Sequence, residues 1–402
     1  MKLLDYQKRA VDIIKEHKKG TIYIPTGGGK TVVFMSDAKN RIQESDSFLT
    51  IVVVAPRIIL AEQLASEFKD FLKDEDISIT HVHSGHKGGT TNPEKIARND
   101  AIVKNLGKHH LIFTTYYSLE KVNISNIQMN VVYFDEAHNS TRGSAQVGVA
   151  HTSKVSDHTY FFTATPKVAM SDTTVYGSNI ISISAKELLN VGTILPPEVE
   201  TYEFDEVRTK ENAPVVDAQN ITGILSGIEE ETPKVLVSAP STKIIWEALT
   251  HTPLLSELNT MGYTVFHITS KHGAYIDRKK VSREVFFEKL NEYGSDETKK
   301  MILFHYSILS EGVNVTGLTH CIILRNLKTI EMLQTIGRVI RVNEKDRIAM
   351  QQNKIKAGQF ESYSKPCGKV IIPVSNGYGK NIAKNIQNVV DAVFIQGETL
   401  TT

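Results

Sequence analysis

Short apolar runs alternate with amphipathic helical stretches along most of this chain, and the series runs twice. That alternation constrains the fold more than any other feature, because strands regularly separated by helices pair in parallel. The first series places strands at Thr21–Ile24, Leu49–Ala55, Leu111–Thr114, Asn130–Phe134 and Thr159–Thr163. Helical patterns lie between them, such as IILAEQLASEFKDFL at Ile58–Leu72, with apolar residues at three- and four-residue spacing. The second series has strands at Val235–Val237, Thr264–Ile268, Met301–Phe304 and His320–Leu324, with helices near Thr242–Thr250, Val281–Leu290 and Ile330–Arg341. Between the series, Leu195–Thr232 has weak periodicity, several prolines (Pro196, Pro197, Pro214) and an acidic run at Glu229–Glu231, which reads as an interdomain connection, partly ordered and partly linker. An apolar run at Gly368–Val374 and a helix from Gly379 to about Gln396 follow the second series. The reading is an α/β chain of two domains, 1–195 and 233–402, joined by a linker at 196–232.

Composition excludes several classes. With 41% hydrophobic and 23% charged residues the sequence is ordinary for a globular protein, and a net charge of +1 supplies no overall field for a polyanion. Any nucleic-acid site must therefore come from local charge. Two distant cysteines, Cys321 and Cys367, exclude a disulfide framework and a cysteine-based zinc site, and they suit a reducing cytosol. The N-terminus is polar and helix-forming, without a signal pattern, and the longest apolar runs are strand-sized, so no membrane span is expected.

The stretch Ile22–Phe34, IYIPTGGGKTVVF, reads as strand, glycine turn and helix start. A triphosphate needs backbone N–H groups wrapped around it, and Gly27, Gly28 and Gly29 supply the required dihedrals without a Cβ in the way. Lys30 brings a point charge to the β- and γ-phosphates, Thr31 can ligate Mg²⁺, and the helix N-terminus faces the same anion. The strict phosphate-loop pattern wants glycine six residues before Lys30, where this chain has Ile24. A second piece, VVYFDEAH at Val131–His138, sets acids at the carboxyl end of a strand, where parallel sheets hold their ligands. Asp135 is placed to hold Mg²⁺ and Glu136 to polarise the water that attacks the γ-phosphate.

With these pieces in order, the chain resembles the superfamily 2 helicases and translocases over nearly its whole length. Tyr6-Gln7 resembles the adenine-reading segment. The loop Pro25–Thr31, with Thr26 before its glycines, is the family's own variant, in which the first glycine is commonly replaced. Val54–Arg57 and Thr114-Thr115 resemble nucleic-acid contacts, Asp135–His138 the acidic DEAH box, and Thr163–Pro166 the coupling motif through Thr163 and Thr165. In the second half, Ser310–Val315 resembles the segment linking nucleotide to nucleic acid, through Ser310, Gly312 and Asn314, although aspartate is frequent at the last of these. Gln334–Arg341 resembles the arginine motif, and Arg338 and Arg341, three apart, are expected on one side of a helix.

The resemblance implies tandem RecA-like domains, each a parallel sheet flanked by helices, with ATP and Mg²⁺ bound in the cleft between them. Lys30, Asp135, Glu136, Gln334, Arg338 and Arg341 would form the catalytic set. Arg57, Ser84, Gly85, Thr114 and Thr115 would grip a strand from one domain, and Ser270 and Ser310 from the other. Hydroxyl and backbone donors of this kind contact phosphates without reading sequence. DEAH with Thr-Ala-Thr, and an arginine motif opening Gln-Thr-Ile-Gly, is similar to DNA-acting members: restriction-enzyme motor subunits, XPB-type proteins and phage helicases of branched recombination intermediates. The expectation is a nearly minimal, monomeric motor in a bacterial or phage-infected host cytosol, acting on single-stranded, forked or branched duplex DNA. A duplex translocase, an RNA helicase and an ATP-switched clamp remain alternatives. His81, His83 and His86 lack the carboxylates or cysteines of a metal site, and Trp246 reads as core packing. Arg278–Lys280 reads as solvated surface or as an approach to a phosphate backbone.

Overall fold

The apolar runs form buried strands in the computed structural model, which describes residues 3–85, 88–141, 143–269, 271–306 and 315–402. The first unit reaches to Ser184 and takes back Thr399–Thr402, and the second is Ala185–Glu398. In the first, β1 (Lys19–Tyr23), β2 (Thr50–Ala55), β3 (Ile77–Val82), β4 (His109–Thr115), β5 (Val131–Phe134), β6 (His158–Thr163) and β7 (Ser178–Ser182) form one sheet in the order β3-β4-β2-β5-β6-β1-β7. Every pairing in it is parallel. Strands β2, β4 and β5 are buried from end to end, as a sheet covered on both faces requires. On one face Phe34 meets Phe162 at 5.2 Å, Tyr133 at 5.7 Å and Phe68 at 5.9 Å between ring centroids. On the other, Phe134 stacks on Phe161 at 4.7 Å. Phe34 belongs to the helix Lys30–Glu44, so this aromatic contact seats the helix that follows the glycine turn.

The second unit contains β8 (Pro197–Glu203), β9 (Lys234–Ser238), β10 (Tyr263–Thr269), β11 (Gly273–Ile276), β12 (Lys279–Val281), β13 (Lys300–His305), β14 (His320–Ile323) and β15 (Gly368–Val374). Their order is β12-β11-β10-β13-β9-β14-β15-β8. Strand β11 pairs antiparallel with both β10 and β12, and the remaining pairings are parallel.

Three expectations are corrected. The supposed linker 196–232 contains β8, paired along its length with β15, and a helix, Ala213–Ser226, whose Ile221, Ile224 and Leu225 pack into the second core with Val235 and Val237. Its prolines sit where backbone donors are dispensable: Pro197 opens an edge strand, and Pro214 lies in the first turn of the helix. Val281 belongs to β12, and the helix expected to begin there is Arg283–Ser295, capped by the Ser282 hydroxyl accepting from the Val285 N–H at 3.3 Å. The arginine-motif helix is Thr329–Val339, so Arg341 lies beyond its end, in a bridge to Ile194. Among the described residues no helix is long and apolar enough to cross a membrane.

Candidate functional site

The glycine turn is built against the first helix, Asp5–Glu16. The Tyr6 hydroxyl donates to the Gly28 carbonyl at 2.9 Å, and the Gln7 Oε1 accepts from the Leu4 N–H at 3.0 Å. Gly27 and Gly29 have φ of 86° and 74°, and a Cβ at Gly29 would stand 2.6 Å from the Gln7 Nε2. Gly29 is the N-cap of the helix Lys30–Glu44, whose first N–H groups have no partner within the helix. Thr26 and Thr31 flank the glycines, half-buried. Ile24 explains the departure from the strict pattern. Its N–H donates to the Thr163 carbonyl at 3.1 Å, so the ladder with β6 runs through this position and its side chain is buried.

Lys30 is buried, with its Nζ 3.5 Å from the Ile24 carbonyl and 3.6 Å from the Glu136 Oε1. Asp135 and Glu136 leave the carboxyl end of β5, where the Asp135 N–H donates to the Val54 carbonyl at 2.9 Å. Burial, then the neighbouring Glu136 carboxylate, push the Asp135 carboxyl up to about 7, against the opposing pull of Lys30. Glu136 has φ of 46°, a left-handed conformation uncommon outside glycine. Its Oε2 lies 3.5 Å from the His138 Nδ1, which in turn is 3.1 Å from the Thr163 Oγ1. The Asn139 Nδ2 donates to the His138 Nε2 at 3.2 Å, which assigns the imidazole proton to Nδ1. Thr163 Oγ1 accepts from the Thr165 N–H at 3.2 Å, extending the chain of contacts into the following turn. Two adjacent carboxyl groups facing one lysine, one of them buried and hard to ionise, fit a divalent cation, whose charge would favour both carboxylates. Thr31 and Asp135 are the residues expected from the sequence to hold it, the first half-buried and the second buried.

Arg57, Ser84 and Gly85 are exposed at the carboxyl ends of β2 and β3, and a Cβ on Gly85 would meet Ile58 at 2.7 Å. Thr114 and Thr115 end β4, between those strands, but both are buried with hydroxyls engaged within the fold: Thr114 donates to the Val82 carbonyl at 2.9 Å and Thr115 to Ser118 at 3.3 Å. In the second unit Gln334 is half-buried and Arg338 buried on the helix Thr329–Val339. Burial, then Arg338 and Arg325, hold the His305 imidazole down to about 3. Ser270, Ser310, Gly312, Asn314 and His86 lie outside the described residues. Among the described residues no three metal-ligating side chains converge, His81 and His83 included.

Several contributors escaped the sequence reading. Tyr116 donates to the Asp135 carbonyl at 2.8 Å, and the Lys167 Nζ donates to the His138 carbonyl at 2.6 Å. Each adjoins a motif, Thr114-Thr115 or Thr163–Pro166, and that adjacency was the available signal. Lys365 gave none, because its Nζ donates to the carbonyls of Leu318 at 2.6 Å and Arg341 at 2.8 Å, both remote in sequence.

The family profile for the res subunit of type III restriction enzymes matches residues 1–168, and that for the helicase conserved C-terminal domain matches 218–343. The DNA-bound ATP-dependent type ISP restriction-modification enzyme LlaBIII is similar at 16% identity and a TM-score of 0.73, over 98% of this chain and 30% of its own. A fragment assigned as an HsdR subunit of a type I restriction enzyme from Vibrio vulnificus gives 16% and 0.63, over 99% of this chain and 67% of its own. Dbp5 of S. cerevisiae, bound to RNA and ADP BeF3, gives 15% and 0.58, over 99% and 89%. At these identities the likeness concerns the fold, two tandem RecA-like domains. No curated protein sequence matches the chain significantly.

Proposed function

We propose that the chain is a superfamily 2 helicase that couples ATP hydrolysis to movement along DNA, unwinding or branch-migrating the duplex, a reading that the two helicase-family profiles support. The observation that carries this reading is the convergence of Lys30, Asp135, Glu136, His138 and Thr163 at the carboxyl ends of interior strands of the first sheet. The contacts of Lys30 with Ile24 and Glu136 are long, so phosphate oxygens compete well for its ammonium group. Thr31 and Asp135 would hold Mg²⁺, which would supply charge neutralisation for the triphosphate. The Glu136 carboxylate, oriented by His138, takes the proton of the attacking water. His138 then passes any shift of Glu136 to Thr163 and the turn beyond it. Tyr6 and Gln7 brace the loop from behind and read the base, while Gln334, Arg338 and Arg341 of the second unit add hydrogen bonds and charge at the transition state. Arg57, Ser84 and Gly85, with Thr114 and Thr115 behind them, take backbone phosphates without reading sequence.

The test is ATP hydrolysis measured with single-stranded DNA, duplex, fork, four-way junction and RNA at one salt concentration, because phosphate contacts make affinity salt-dependent. Stimulation by forked or branched DNA, with strand displacement, is the expected result. Stimulation by RNA alone, or triplex displacement without strand separation, would replace this reading. Lys30→Ala is expected to lower hydrolysis by ~10²-fold or more while the fold is retained. Normal hydrolysis by that variant would remove the site assignment.

A further inference from the structure

The second sheet begins with an antiparallel hairpin that contains none of the residues of the nucleotide site. Its register sets His267 on β10, Tyr275 on β11 and Lys280 on β12 in one row across the same face. Trp246, from the helix Thr242–His251, lies over that row, 5.6 Å from Tyr275 and 6.1 Å from His267 between ring centroids, both edge to face. His272, in the turn between β10 and β11, stacks flat on Trp246, with centroids 3.9 Å apart and planes 7° from parallel. The turn is fixed by the His272 N–H donating to the Thr269 Oγ1 at 3.0 Å. The Lys280 stem crosses Gly273, where a Cβ would come within 3.3 Å of its Cε. Lys271, Arg278, Lys279 and Lys280 are exposed. Asp277, the one acid among them, is engaged by the Asn259 Nδ2 and the Val265 N–H, each at 2.9 Å.

We propose that this edge binds an unpaired nucleotide of a single strand. The base stacks on the outer ring face of His272, lengthening the Trp246–His272 column, while Lys271 and Lys280 take the adjoining phosphates. A stacking platform beside amines is the combination that holds single strands without reading sequence. The proposal rests on the reading of the chain as a nucleic-acid motor and adds a contact to it.

Trp246 is the only tryptophan, so its emission reports on this site alone. The experiment titrates the full chain with an oligo-dT, reading Trp246 emission and, separately, the anisotropy of a label on the oligonucleotide. Binding is expected to quench Trp246. His272→Ala is expected to weaken binding by about 5- to 100-fold and to abolish the quench, whereas His272→Phe keeps the affinity. Lys280→Gln is expected to lower the slope of log affinity against log salt by about 0.7. Binding seen by anisotropy, with Trp246 emission unchanged and wild-type affinity in His272→Ala and Lys280→Gln, would overturn the site and leave the motor reading standing. No binding and no stimulated hydrolysis with any nucleic acid would overturn both.

Discussion

Lys30 and Glu136 face one another at 3.6 Å within the first unit, both with little exposure to solvent. Beside them Asp135 carries the larger burden, because burial and the Glu136 charge both oppose its ionisation. A carboxyl raised from 3.8 to about 7 binds its proton more tightly in the folded chain than in the unfolded one. Its contribution to stability is therefore fully present below the unfolded value and is lost as the pH rises through the folded one. Asp135→Asn is accordingly expected to raise the melting temperature at pH ~8, with the gain shrinking toward pH ~4. Melting of both proteins across that range, without nucleotide or metal, checks it, and a gain independent of pH would refute the account. Glu136 adds a backbone cost through its φ of 46°, a strain that tertiary contacts must hold.

At the scale of elements, polar ties fix the helices that frame the site. The helix Lys30–Glu44 is held at its middle by Asp37, which accepts from Arg41 at 2.8 Å and from the Tyr133 hydroxyl at 2.5 Å. On the other flank the helix Pro93–Asn105 is tied to the sheet through Asp100. Its carboxylate accepts from the Thr50 hydroxyl at 2.6 Å and pairs with the His110 Nδ1 at 2.8 Å, while the His110 Nε2 meets Thr80 at 2.8 Å. Burial pushes the Asp100 carboxyl up, but the hydrogen bonds from His110, Thr50 and Lys104 outweigh it and bring it down to about 2. This stability is present above the unfolded value of 3.8 and disappears as the pH falls through about 2. Asp100→Asn is expected to destabilise the chain by ~1–3 kcal/mol near neutral pH, through lost and unsatisfied hydrogen bonds. Denaturant unfolding at neutral pH and in acid checks this, and a deficit that persists unchanged into strong acid would show that the charge is not the cause. None of these ties was legible in the sequence, because Thr50, Thr80, Asp100 and His110 meet only once β2, β3 and β4 are neighbours.

At the scale of the whole chain, the residues proposed for catalysis belong to two units, and that proposal yields its own prediction. Arg338→Ala is expected to lower nucleic-acid-stimulated hydrolysis by ~10³-fold or more, the scale of an arginine supplied to a phosphoryl transfer, while ATP binding by the first unit persists. Single-turnover rates beside nucleotide affinity separate the two effects, and an undiminished rate would leave Arg338 as a structural neighbour of His305. The sequence by itself determined the strand–helix alternation, the glycine turn and the acidic strand end, because these are local: period, dihedral preference and charge at a strand terminus are written within about ten residues. Tertiary structure alone decided that Ile24 continues a ladder to Thr163, that the proline-rich 196–232 segment is an edge strand and a core helix, and that Arg341 leaves its helix to meet Ile194. Each depends on a partner strand or carbonyl far away in the chain, and pairing between distant segments leaves no mark in local composition.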